Sequence, residues 1–180
     1  LLITERRADY SRLKPILKEL ANHEVFEYHL IVTGMHLLKE HGYTLQEILN
    51  DGFRIAETFE MFQNSSNKPS HMVEALGVAL KELPSIVSEI NPSLIITGFD
   101  IAANLALTIT GAHLNIPVAH IQGGERTGSI DESLRHAMSK FSNYHLVANF
   151  DAKKRLIKMG EEKKNIFNVG CPSLDALLNE

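Results

Sequence analysis

Residues 120–136 read His120-Ile121-Gln122-Gly123-Gly124-Glu125-Arg126-Thr127-Gly128-Ser129-Ile130-Asp131-Glu132-Ser133-Leu134-Arg135-His136. A short apolar strand runs into a Gly-Gly turn, then a loop, then a carboxylate pair that opens a helix. Flexible backbone, acids and bases within one strand–loop–helix unit suit the handling of a phosphorylated, polyhydroxylated ligand. Working outward, apolar strand-like runs alternate with helix-period runs almost throughout the chain. Short connections between them predict a parallel sheet covered by helices on both faces, an α/β Rossmann-like fold.

The amino-terminal side predicts a strand at Leu1–Thr4 and a helix from Tyr10 to Ala21, whose apolar face is Leu13, Ile16, Leu17 and Leu20. A strand is expected over Phe26–Thr33, a short helix over Thr44–Asn50 and a strand over Arg54–Phe59. Gln63–Pro69 reads as a loop. Ser70 is expected to cap a helix from His71 to Glu89, which Pro84 would kink or split. The second half predicts strands at Leu94–Thr97, Val118–Ile121, Tyr144–Ala148 and Ile166–Val169. Helices are expected at Ile101–Leu114, Asp131–Phe141 and Asp151–Met159, with another starting near Leu174. The 101–114 segment is apolar nearly all round and therefore reads as buried.

Composition narrows the function classes. The chain has 180 residues, 44% hydrophobic and 22% charged, with net charge −4 before its nine histidines are counted. That balance gives no electrostatic case for nucleic acid or an anionic membrane. No apolar run reaches membrane-spanning length. The single cysteine, Cys171, forbids an intrachain disulfide and fits a reducing, cytoplasmic setting.

In such sheets ligands bind beyond the carboxyl ends of the strands. Three polar clusters follow strand ends here: Arg7 with Asp9, Asp100, and Gln122 through Glu132. Arg7 could grip phosphate near a helix start, or simply stand in a solvated turn with Asp9 capping the helix. Asp100 could be a tuned acid or base, or a plain N-cap. Gly123-Gly124-Glu125 admits close approach of a ligand, or is only a turn. Asp131 and Glu132 are the charges a helix dipole favours. They also stand four residues before Arg135 and His136, so each acid shares a helix face with a base. The histidines show no metal-ligand spacing, which predicts no metal. His120 reads as a core histidine and Cys171 as a small buried side chain.

Taken together, Arg7-Ala8-Asp9-Tyr10-Ser11, Gly34-Met35-His36-Leu37, Asp100, the stretch from His120 through His136, and Gly170-Cys171-Pro172-Ser173-Leu174-Asp175 resemble the amino-terminal half of the hydrolysing UDP-N-acetylglucosamine 2-epimerases. This is the branch that feeds sialic and legionaminic acid synthesis. The resemblance implies the first lobe of a glycosyltransferase-B type two-lobed fold. Residues 1–173 would form the lobe, and 174–180 would start the connection to a carboxy-terminal lobe outside this sequence. It also implies a UDP-sugar substrate, elimination of UDP followed by hydration of the glycal, no nicotinamide or metal cofactor, and a homo-oligomer.

Carried over by position, Asp100 and Asp131 match catalytic carboxylates and Glu132 an acidic neighbour. Arg7 matches an arginine facing the nucleotide phosphates. Arg135 and His136 match the end of the motif, with Arg135 expected to orient Asp131. Two positions depart from the family. Gly98-Phe99-Asp100 stands where His-Gly-Asp is common, and Gln122 stands where a catalytic Glu is found. An amide cannot abstract a proton, so Glu125 enters as a stand-in. The departure leaves two other readings: a nucleotide-sugar-binding lobe without turnover, and a glycosyltransferase lobe.

Overall fold

The computed structural model describes residues 1–62 and 68–178. Seven short strands alternate with helices: β1 Leu2–Thr4, α1 Arg7–Asn22, β2 Leu30–Thr33, α2 Leu45–Asn50, β3 Ile55–Phe59, α3 Pro69–Ile90, β4 Ile95–Gly98, α4 Ala102–His113, β5 Val118–Ile121, α5 Ile130–Phe141, β6 Tyr144–Val147, α6 Phe150–Lys158, β7 Ile166–Asn168 and α7 Pro172–Leu178. Strands β1-β2-β3 and β4-β5-β6-β7 form two parallel ladders. Leu1 joins them: its N–H donates to Leu94 O at 2.8 Å, and Ile96 N–H donates to Leu1 O at 2.9 Å. That pair of bonds is a parallel bridge, so the strand order is 3-2-1-4-5-6-7. Chain direction across the sheet reverses between β1 and β4, and the crevice at such a reversal is where open α/β sheets bind ligands.

Period-2 alternation assigns the two faces. Leu2, Leu30 and Val32 pack with Leu13 and Leu17 of α1 and with Ile48 and Phe53. Ile3, Ile31 and Ile95 face the other way, against Ala79, Leu83 and Val87 of α3 and Ala106 and Leu107 of α4. Where both faces are covered, as in β1, β2, β4 and β5, the strands read as largely apolar runs visible in the sequence, whereas β3 and β7 are largely uncovered. A smaller cluster of Val147, Ala152, Leu156 and Ile166 seats α6.

The differences from the sequence expectations have local causes. β2 starts at Leu30 rather than Phe26, because pairing begins where Leu2 meets Leu30. Val25 and Phe26 are exposed. Helix α3 begins at Pro69, where a missing N–H costs nothing, and the expected Ser70 cap is not used. It runs through Pro84 without splitting. Residues 63–67 of the expected Gln63–Pro69 loop lie outside the described residues. Two 3₁₀ turns after β2, Gly34–Leu37 and Lys39–His41, were not anticipated. Gly34 opens the first at φ 64°, and a Cβ there would lie 2.4 Å from Glu5 Cγ. Only glycine lets β2 end this close to β1.

Two core histidines make the lobe acid-sensitive. His36 is buried with Nε2 3.0 Å from the Thr4 hydroxyl and Nδ1 2.7 Å from the Thr44 hydroxyl. Burial pulls it down to about 4. Burial, with the charges of His145, Arg135 and His136, pulls His120 down to about 3. The unfolded chain protonates histidine near 6.5, so the folded state holds fewer protons below that pH. This contribution is complete above about pH 6.5 and is lost as pH falls toward 4. Asp9 opposes it. Burial pushes Asp9 up to about 6, so its folded form gains stability between about pH 6 and 4. At about 1.4 kcal/mol per unit, two histidines outweigh one aspartate by a few kcal/mol. Urea denaturation midpoints should therefore fall between pH 7 and 4.5. His36→Gln, which can still bond both threonines, should flatten that fall; an unchanged slope would remove His36 from the account.

Candidate active site

The site grows from the carboxyl ends of β4 and β5. After Gly98 the backbone turns left-handed at Phe99 (φ 69°) and Asp100 (φ 55°), and after Ile121 it does so at Gln122 (φ 58°). None of the three is glycine, so each holds local strain of about 1–3 kcal/mol. The Phe99 ring tucks into the core beneath α1, and the Arg12 guanidinium lies 5.9 Å from its centroid. That is within cation–π range.

Asp100 is the centre of the arrangement. Its Oδ2 accepts from Arg135 Nε at 3.0 Å and also from Arg135 Nη2. Only 6% of the Arg135 side chain and 11% of the Asp100 side chain are exposed, so the pair is desolvated. Asp100 Oδ1 is buried and has no hydrogen-bond partner among the described residues. Burial lifts the Asp100 carboxyl above the usual carboxylate range; Arg135 pulls it down, Asp131 pushes it further up, and Arg12 pulls it down. Asp131 is thus near enough to be felt by Asp100.

The expected pairing of Arg135 with Asp131 is corrected here: Arg135 reaches across to Asp100 on the neighbouring strand end. Asp131 is exposed, and its Oδ2 accepts from the Ser129 hydroxyl at 3.0 Å. Ser129 in turn caps α5 by accepting from Asp131 N–H. Glu132 Oε2 accepts from the N–H groups of Thr127 and Gly128, both at 3.0 Å. These bonds hold its carboxyl below the usual range. His136 Nε2 lies 3.8 Å from Glu132 Oε1, the expected same-face pair. Glu132 therefore ties down the loop ahead of α5.

Gln122 is half-buried. Its N–H donates to Leu146 O at 2.8 Å and its Nε2 donates to Cys171 Sγ at 3.2 Å. Glu125 is also half-buried, and its carbonyl accepts from Arg135 Nη1 at 2.9 Å. Arg7 stands apart from this group. It is exposed, 3.3 Å from Glu47 of α2. It borders a cavity of about 1010 Å³ lined also by Tyr10, Lys14, Asp51 and Asp175, which contains none of Asp100, Gln122 or Asp131. The buried carboxylate with its left-handed backbone and that open cavity are therefore separate features of the lobe.

Sequence reading missed three participants. Glu5 is fully buried at the end of β1, pairs with Arg6, and accepts from Ala103 N–H of α4 at 2.9 Å. Arg12 of α1 lies over Phe99, and its charge acts on Asp100. The Cys171 thiol meets Gln122. The Glu5-Arg6-Arg7 charge run was the only available signal for Glu5.

The family profile described as UDP-N-acetylglucosamine 2-epimerase matches residues 18–180. The chain belongs to this family. It is 40% identical over 98% of its length to UDP-N,N'-diacetylbacillosamine 2-epimerase (hydrolyzing) of Legionella pneumophila. It is 39% identical over 98% of its length to a UDP-N-acetylglucosamine 2-epimerase of Neisseria meningitidis serogroup B. In both cases it covers 46% of the relative, so the chain spans about half the length of the curated relatives it matches. A crystal structure of UDP-GlcNAc 2-epimerase from Neisseria meningitidis bound to UDP-GlcNAc superposes with TM-score 0.86 at 18% identity, over 98% of this chain and 47% of that one. The parallel sheet with helices on both faces is thus the first-lobe architecture of the family's glycosyltransferase-B-like fold.

The ion pair at the centre gives a direct test. Arg135→Met would leave Asp100 buried beside Asp131 without its cation. The expected cost is about 3–5 kcal/mol in urea denaturation, partly recovered in the Arg135→Met/Asp100→Asn double variant. A loss below about 1 kcal/mol would place the pair in solvent.

Proposed function

We propose that this chain is the amino-terminal lobe, residues 1–173, of a hydrolysing UDP-acetamido-sugar 2-epimerase. Residues 174–180 would lead toward the second lobe. The substrate is UDP-N-acetylglucosamine or a UDP-diacetamido sugar, and the product is the free 2-epimeric sugar. The hydrolysing assignment draws on the likeness to the Legionella relative, a hydrolysing 2-epimerase. No described helix is long and apolar enough to cross a membrane, and we assign the enzyme to the cytoplasm, feeding nonulosonic acid synthesis.

The observation that carries the reading is the buried, unpartnered Asp100 Oδ1 at the sheet's reversal point. A carboxyl lifted above its ordinary range takes up a proton more readily than a free one, which suits a general acid–base role. The C2 proton of an acetamido sugar is weakly acidic, so its removal must be coupled to departure of UDP from C1. Asp100 and the exposed Asp131 are assigned the proton transfers. Gln122, an amide, is assigned hydrogen bonding to substrate, with Glu125 beside it. Glu132, with His136 beside it, ties down the Thr127–Gly128 loop ahead of α5, the helix that carries Asp131. Arg12, whose charge acts on Asp100, is assigned cationic stabilisation of the departing diphosphate; Arg7, held beside Glu47 on the neighbouring cavity, is assigned at most a contact with the outer part of the nucleotide. Water then adds across the glycal, delivering a solvent proton to C2.

Gln122 also supports a second reading, a lobe that binds nucleotide sugar without turnover. Incubating the full-length protein with each UDP-acetamido sugar in deuterated water separates the two by NMR. The proposal expects free sugar deuterated at C2 and released UDP; saturable binding with no UDP released would favour the second reading. Asp100→Asn should lower UDP release by roughly 10²–10⁴-fold. Near-normal release would remove Asp100 from the mechanism.

A further inference from the structure

We propose that Arg155 of α6 is a positioning residue for the Gln122–Glu125 loop, acting through the peptide backbone. Nothing in its chemistry marks it: it lies on α6, 33 residues beyond Gln122, and touches none of the proposed catalytic carboxylates. Yet its Nη1 donates to the carbonyl of Gly124. The next carbonyl along, that of Glu125, accepts from Arg135 Nη1. Two guanidinium groups from two different helices therefore hold two consecutive carbonyls of one turn.

The turn needs such an anchor. Gln122 sits at φ 58° and Gly124 at φ 80°. A Cβ on Gly124 would lie 2.6 Å from Ala152 O and 2.9 Å from Leu156 Cγ. The loop thus presses its bare glycine directly onto the first turns of α6. That close approach gives contact but no hydrogen bond, since Gly124 meets a carbonyl and an aliphatic carbon there. Arg155, on the same helix, supplies the directional bond that fixes which way the peptide faces. α6 itself is well founded: Asn149 caps it by accepting from Ala152 N–H at 2.9 Å, and Ala152 and Leu156 are core residues. The anchoring runs from the Val147–Ile166 core through α6 and Arg155 to Gly124, and from there to the side chains of Gln122 and Glu125.

This inference rests on the proposed UDP-sugar reaction for its catalytic consequence, but the clamp can be measured without turnover. The full-length Arg155→Ala and Arg155→Lys variants are compared with wild type by hydrogen exchange of the 122–126 amides, kinetics and thermal denaturation. Arg155→Ala should raise exchange in this segment several-fold and lower kcat by about tenfold, with KM within about twofold, because small misplacements of reacting groups are costly. Guanidinium ion in the buffer should restore part of the lost kcat, ammonium less, and Arg155→Lys should fall between. A purely structural role would lower the melting temperature and leave kcat untouched in the cold; that result overturns the proposal, as does unchanged exchange at 122–126. Should wild type release no UDP, the functional reading falls, and the exchange result alone decides whether Arg155 holds the loop.

Discussion

The Asp100–Arg135 ion pair is the constraint around which the functional edge is arranged. Taking both charges out of water is expensive, and the attraction between them offsets that cost only with good geometry. The two bonds from Arg135 to Oδ2 meet this requirement. They also fix α5 against the end of β4, and the third bond, to the Glu125 carbonyl, fixes the loop after β5 in the same stroke. One side chain thus sets the relative position of two strand ends and a helix. The left-handed Phe99 and Asp100 are tolerated because this pair, and the burial of the Phe99 ring, over-determine their conformation.

A second buried carboxylate makes the arrangement possible. Helix α4 has no side-chain cap of its own, since Ile101 stands at its N-cap. Glu5, from the end of β1, takes the Ala103 N–H instead. An anion at a helix N-terminus is favoured by the dipole, and Arg6 balances its charge. The start of α4 is therefore tied to β1, directly beside Asp100. The sheet's reversal point is held by side chains from both of its halves, together with the backbone bonds that Leu1 makes to Leu94 and Ile96.

What the sequence made legible follows the range of the forces involved. Val118–Ile121 and the run of strands and helices after it were readable because periodicity and apolar runs are local signals. Glu132 with His136 was readable because a helix brings residues four apart together. The same rule misled for Arg135. It placed the guanidinium over Asp131, but a buried arginine follows the best desolvated partner, and Asp100 lies 35 positions away. Phe26 looked like strand because it is aromatic in an apolar stretch; it lacked a partner because β1 is short. Glu5 and Cys171 were invisible as participants, since their roles exist only once β1 meets α4 and the turn after β7 meets β5.

The unpartnered Asp100 Oδ1 carries the argument furthest. A buried acceptor without a donor costs about 1–3 kcal/mol, and the lobe bears that cost while satisfying Oδ2 twice. A local hydroxyl commonly relieves such an imbalance in a purely structural group, as the Thr4 and Thr44 hydroxyls do for the two ring nitrogens of His36. In the proposed reaction, an acceptor left open at the strand-order reversal, on a group whose proton affinity is raised by its own burial, would be complementary to a substrate that brings a proton.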